Sequence, residues 1–208
     1  TTLASSSAAS DVYKRQSNPY EPCWYNKIVN GHQLSVIFHV DDLKISHKDP
    51  DVVTDFIKLV DFEYGKEAPL TLNRGKIHVY LGFTIDYSIP GQVAFTMFDS
   101  LQKMLNEFPD KDSTFEYVTP AANALFTVDP TATPLDELQA KTFYTLTAKA
   151  LFASKRCRPD IQVAVAFLTT RVRAPTTQDW SKLKRLMGYI RATIGIPLIL
   201  QMDKSGKI

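Results

Sequence analysis

The chain has 208 residues, 44% of them hydrophobic and 11% aromatic, with a formal net charge of +2. That composition belongs to a core-forming globular protein and excludes a disordered or collagen-like one; the near-neutral balance leaves no whole-chain electrostatic argument for a partner. Cys23 and Cys157 lie far apart with no CxxC spacing, against a disulfide framework or zinc site, and no apolar run approaches the ~20 residues of a membrane span. A soluble, intracellular protein with no membrane partner is expected.

Residues 1–16, "TTLASSSAASDVYKRQ", are small and polar, and they lack the basic start and apolar stretch of a secretory signal. They resemble an adapter-derived or disordered tag and are set aside from the fold. Residues 18–30 carry Trp24, Tyr25, Ile28 and Val29 and predict a strand ending at Asn30-Gly31, a strong turn pair. In "LSVIFHVDDLKISH" (34–47), Leu34, Val36, Phe38 and Val40 alternate onto one face, and Leu43 and Ile45 resume the pattern. The whole predicts a hairpin with Asp41 and Asp42 at its tip. Next, "DPDVVTDFIKLVDFEYG" has a helical apolar period closed by Gly65. Strands are expected over 77–87 and 92–98, with Ile89-Pro90-Gly91 between them, then a helix from about Asp99 to before Pro109.

Prolines at 109, 120, 130 and 134 mark 109–134 as a connector. Thr133-Pro134-Leu135-Asp136 reads as an N-cap with Pro at the first helical position, opening a helix to about Lys155. Pro159 and Asp160 open a second helix through Arg173. A third, near 177–193, puts Trp180, Leu183, Met187 and Ile190 on one stripe, and "IPLILQMD" ends the chain as a strand. The expected class is α+β: an antiparallel sheet region with helices over 17–108, the connector, then a mainly helical region over 135–208.

Charge is uneven along this order. Residues 41–67 hold eight acids against four lysines; residues 155–191 hold nine bases against Asp160 and Asp179. An acidic half that could hold a metal beside a basic helical half suits a polyphosphate chain, although lysines and arginines also simply solvate helix faces. The Asp pair is open to three readings from the residues alone. It could be an exposed polar turn, a hard-cation site using oxygen ligands, or part of a metal site with His32, His39 and His47.

"FHVDDLKIS" resembles the aromatic-x-Asp-Asp motif of reverse transcriptases in the form carried by copia-type retrotransposon polyproteins. "EPCWYNK" (21–27) resembles the segment before that motif, and "RGKIHVYLGFTIDY" (74–87) resembles the Gly-x4-Tyr/Phe-Leu-Gly block. "TPAANALF" (119–126) and the stretch from "LFASKRCRPDI" to "YIRAT" (151–193) resemble the later blocks. The order and spacing of these segments, over about 20–200, make the resemblance specific.

The resemblance implies a partial reverse-transcriptase palm over 17–108 and a thumb and connection over 135–208. Asp41 and Asp42 would be the catalytic and metal-binding pair, taking Mg2+ or alternatively Mn2+, flanked in the motif by His39 and Val40. His39 stands where the family more often has Tyr. Gly75 would be a motif glycine. Leu81, Gly82 and Phe83 would form the primer grip. Lys155, Arg156, Arg158, Arg171, Arg173, Lys182, Lys184 and Arg185 would meet template–primer phosphates. The implied partners are an RNA or DNA template with primer, deoxynucleoside triphosphates, and the rest of the polyprotein (fingers, integrase, ribonuclease H), in a cytoplasmic virus-like particle or the nucleus. The family's upstream metal-binding Asp has no match in 1–33, so this piece alone is expected to be inactive in RNA-directed DNA synthesis. The alternative reading is a non-catalytic nucleic-acid-binding remnant.

Overall fold

The computed structural model describes residues 16–18, 20–40, 42–66, 69–109 and 116–201. The chain divides into two compact units, Thr1–Arg74 and Gly75–Ile208.

In the first unit, β1 (Gln16–Asn18), β2 (Glu21–Val29), β3 (His32–His39) and β4 (Asp42–Ser46) form one antiparallel sheet in chain order. Gln16, expected to belong to the tag, opens β1; residues 1–15 lie outside the described part. Asn30 and Gly31 both take positive φ (50° and 76°), the pair of left-handed residues that a two-residue hairpin turn needs. Tyr25 pairs with Val36, and Val36 with Ile45, so these side chains share one face. Helix α1 (Pro50–Tyr64) covers that face, with Phe56 and Val60 buried on Val36 beside Leu43 and Ile45. Asp49 caps α1 by accepting from the Asp51 N–H at 2.9 Å, and Pro50 occupies the first turn, where its missing N–H costs nothing. Gly65 caps the end of the helix, its N–H donating to Asp61 O at 2.7 Å, and a Cβ at this position would collide with Asp61.

The second unit has its own sheet, β5 (Ile77–Tyr80), β6 (Phe83–Asp86), β7 (Gln92–Thr96) and β8 (Leu198–Gln201), antiparallel throughout. Its described helices are α2 (Phe98–Glu107), α3 (Glu137–Ser154), α4 (Gln162–Arg171) and α5 (Thr177–Ala192), with a 3-10 turn at Pro159–Ile161. Leu101, Met104, Phe108, Phe143, Leu146, Ile161, Leu168, Leu183, Met187 and Ile190 fill one core at 2% exposure or less. Burying each of the larger side chains favours the fold by roughly 1.5–3 kcal/mol.

Four expectations need correction. The strand expected over 77–87 is a hairpin: Leu81 and Gly82 turn it with φ of 50° and 80°, and Tyr80 pairs with Phe83. Helix α3 starts three residues later than Pro134 suggested. Asp136 is its cap, accepting from Gln139 N–H at 2.7 Å, while Pro134 bridges to Thr176 and Thr177 N–H donates to Thr133 O. That bridge ties together the entries of α3 and α5, and Thr133 is spent on it. The helix expected from Pro159 to Arg173 is the 3-10 turn followed by α4, ending at Arg171. Finally, the division between units falls at 74/75. The 109–134 connector lies inside the second unit, and β8 pairs with β7 from far along the chain.

Candidate catalytic hairpin and basic helices

The β3–β4 hairpin closes on the pair His39↔Asp42, with Val40 in the turn. Asp42 is therefore the first residue of β4 and not half of the tip; Asp41 lies outside the described residues. Val40 has φ +54°. A β-branched side chain in the left-handed region is crowded against its own backbone, a strain of order 1–3 kcal/mol that packing elsewhere must sustain. The Asn30-Gly31 turn at the other end of β3 meets the same demand with residues that tolerate it.

Because paired residues share a face, His39, Asp42, Ile37, Lys44 and Trp24 all lie on the side of the sheet opposite Val36 and α1. His39 and Asp42 are exposed, while Ile37 and Lys44 are half-buried. Burial lowers the Lys44 ammonium from its ordinary value. Among the described residues no cation is paired with Asp42, and no three His, Cys, Asp or Glu side chains are gathered as a metal cluster. An exposed, unneutralised carboxylate on a stiff strand fits a hard cation that takes oxygen ligands, provided other carboxylates complete the shell.

The histidines do not form such a shell. His32 begins β3 and His39 ends it, seven residues and roughly 23 Å apart at about 3.3 Å per residue. His32 instead meets His47 edge-on, at 6.2 Å between ring centroids. Asp49 N–H donates to His47 Nδ1 at 3.0 Å, and Nε2 faces the carbonyl oxygens of Val29 and His32 at 3.1 and 3.3 Å. His47 is a strut between the Asn30-Gly31 turn and the cap of α1.

In the second unit, Leu81 and Gly82 form the β5–β6 turn, and Ser100 Oγ donates to Gly82 O at 3.1 Å. Phe83 turns inward against Phe95, with centroids 5.9 Å apart. Gly75, exposed with φ +133°, stands where the second unit begins.

The eight bases expected to meet phosphate separate sharply. Arg158 is buried at 1% exposure. Its Nε and Nη2 donate to the Asp160 carboxylate at 2.9 and 2.7 Å, and its Nη1 and Nη2 to Thr193 O and Oγ1 at 3.2 and 2.7 Å. It cannot reach a phosphate, and its place in the phosphate-binding set is corrected: it locks the α3–α4 bend to the end of α5. Tyr189 Oη donates to the same carboxylate at 2.9 Å. Burial pushes the Asp160 carboxyl up, but the Arg158 and Tyr189 hydrogen bonds prevail and hold it below its ordinary value. Burial and that carboxylate raise Tyr189.

Arg171 pairs at 3.2 Å with Asp179, which is wholly buried and completes the capping box of Thr176. Lys182 donates to Thr127 O at 2.6 Å and Arg185 to Thr119 Oγ1 at 2.9 Å, fastening the connector to α5; burial lowers the Lys182 ammonium against the pull of Asp179. Lys184 is half-buried. Lys155, Arg156 and Arg173 are exposed, with the Arg156 guanidinium 3.9 Å above the Phe152 ring. Sequence reasoning missed the Asp160–Tyr189–Thr193 anchorage, for which the Arg-x-Asp spacing of 158–160 was the available signal. It also left Trp24 as a plain strand residue, although alternation from Phe38 through the hairpin puts Trp24 on the Asp42 face.

No family model and no solved structure matches the chain. Among curated proteins, a Saccharomyces cerevisiae protein described as a transposon Ty5-1 protein is 22% identical over 170 residues. The chain is retrotransposon-related. The match covers 81% of this retrotransposon-related chain and 52% of the yeast protein, so the chain spans about half of that relative's length.

Proposed function

We propose that this retrotransposon-related chain is a segment of an RNA-directed DNA polymerase from a copia-type polyprotein, in which the β3–β4 hairpin carries half of a two-metal nucleotidyl-transfer centre. The observation that carries the reading is the turn itself. A Val is held at φ +54° beside two consecutive aspartates, where Asn-Gly would relieve both strain and repulsion. Asp41 and Asp42 would hold Mg2+, or Mn2+ in its place. The metal would supply activation of the primer 3′-hydroxyl and neutralisation of the charge developing on phosphate. What the chain's own residues contribute is position: β4 carries Asp42 as its first residue, and the Leu81-Gly82-Phe83 turn would present backbone to a primer end. Lys155, Arg156 and Arg173 offer exposed positive charge to template–primer phosphates. The remaining carboxylates of the centre would come from other parts of the polyprotein, in a virus-like particle or the nucleus.

Primer extension on poly(rA)–oligo(dT) with Mg2+ tests this, using the chain, a form extended upstream within its parent polyprotein, and Asp41→Asn in each. Extension by the longer form that disappears in Asp41→Asn is the expected result. A longer form that binds template–primer yet never extends it leaves a nucleic-acid-binding remnant and overturns the catalytic reading.

A further inference from the structure

Trp24, Ile37 and Lys44 lie side by side across β2, β3 and β4, in the row next to His39↔Asp42 on the face away from α1. The indole is fixed at its edge: Trp24 Nε1–H donates to Asn26 Oδ1 at 3.1 Å, and that oxygen also accepts from Gln33 Nε2 at 2.9 Å and Ser35 Oγ at 2.7 Å. The side chain is nonetheless 37% exposed. An indole pinned by its N–H, with surface still open, is oriented for stacking and not merely packed. Its surroundings are polar on one side, in Asn26, Ser35 and Gln33, and cationic on the other, in Lys44. The apolar side chains of this face do not form one patch: the polar pair Asn26↔Ser35 separates Trp24 and the half-buried Ile37 from the exposed Ile28.

We infer that this row is a platform for one unpaired nucleotide of a nucleic-acid strand, with its base stacked on Trp24 and its phosphate drawn to Lys44. Two strand spacings, about 10 Å, separate Trp24 from Lys44, a distance that a nucleotide and its flanking phosphate can span. Stacking needs an unpaired base, since a duplex hides all base faces but its terminal ones. Trp24 is then a positioning residue, one row away from the Asp42 carboxylate. The inference rests on the reading that the chain handles nucleic acid, and it does not need a working metal centre.

The test is tryptophan fluorescence in EDTA with single-stranded oligo(dT), on a full chain carrying Trp180→Phe so that Trp24 is the sole indole. Trp180 is stacked on Phe108 at 5.6 Å, so phenylalanine is the mildest replacement. Saturating oligo(dT) is expected to quench the emission, and a blunt duplex of the same length to quench it less. Trp24→Leu should weaken oligo(dT) binding by roughly five- to a hundredfold, the range for removing one base–aromatic stack, while Trp24→Phe keeps most of it. Lys44→Gln should flatten the slope of log affinity against log salt by about 0.7. Unchanged emission at saturation, absence of any binding, equal quenching by duplex, or a Trp24→Leu chain that binds as tightly as the parent each overturns the platform. Quenching without primer extension in the longer form defeats the polymerase reading and leaves the platform standing. Extension with a silent Trp24 does the reverse.

Discussion

Arg156 and Arg158 stand two positions apart, and their guanidinium groups meet opposite surroundings. Arg158 is enclosed and shared between Asp160 and Thr193, whereas Arg156 lies exposed over Phe152. Asp160→Ala should therefore destabilise the second unit by about 3 kcal/mol, the lower end of the cost of stranding a buried charge, because Asp160 is itself partly exposed. A loss of less than about 1 kcal/mol in urea unfolding would remove Arg158 from its locking role. The pH dependence has a definite sign. Asp160 is held below its unfolded value near 3.9, so its contribution is present above about pH 4 and is lost as pH falls through the folded value. Subtracting an Asp160→Asn stability profile from that of the parent should give a difference that is flat at neutral pH and shrinks only in acid. Arg156→Gln should leave stability within about 0.5 kcal/mol, as for an exposed site. It should flatten the salt dependence of template–primer binding by about 0.9 for each phosphate that the guanidinium neutralises, measured by anisotropy. The sequence shows Arg158 only as one base in a basic run. Its inward turn depends on Thr193, thirty-five positions on, which no local pattern reveals.

At the scale of elements, the helices were legible because their signals are local. Asp49-Pro50 starts α1, Thr176 with Asp179 starts α5, and the Trp180–Leu183–Met187–Ile190 stripe has the helical period. The tight turns were less legible. Asn30-Gly31 declares itself, but Val40 and Leu81 take positive φ with residues that do not favour it, so 77–87 has the pattern of one strand and the acidic pair that of a tip. A position held against its own preference is visible only once the flanking strands are paired. Val40→Gly removes the crowding of the β-branched side chain and should stabilise the β3–β4 hairpin by about 1 kcal/mol, net of glycine's extra entropy when unfolded. Native-state hydrogen exchange of the Ile37 and Lys44 amides should slow accordingly, by roughly fivefold. Faster or unchanged exchange would mean that the turn carries no strain, and the main observation behind the catalytic reading would lose its weight.

For the whole molecule, the proline-rich stretch has the composition of a seam, yet the seam lies at 74/75. The reason is long-range pairing: β8 returns to β7, and Lys182 and Arg185 pin the connector to α5, so 109–134 is held within one unit despite its prolines. Composition marks where regular structure stops and cannot tell whether the ends on either side pack together. The two units also differ in what holds them. Among the described residues, the first rests on Val36, Phe56 and Val60 under α1, with Tyr25 and Leu34 buried nearby; the second encloses side chains from α2, α3, α4 and α5. Apolar burial scales with area at roughly 25 cal/mol per Å², so the first unit should open at a lower free energy than the second. Hydrogen exchange in rising urea should then release the amides of α1, around Phe56 and Val60, before those of α3 and α5, around Leu146 and Leu186. Release of both sets at one free energy would mean that the smaller buried cluster of the first unit does not make it the weaker of the two.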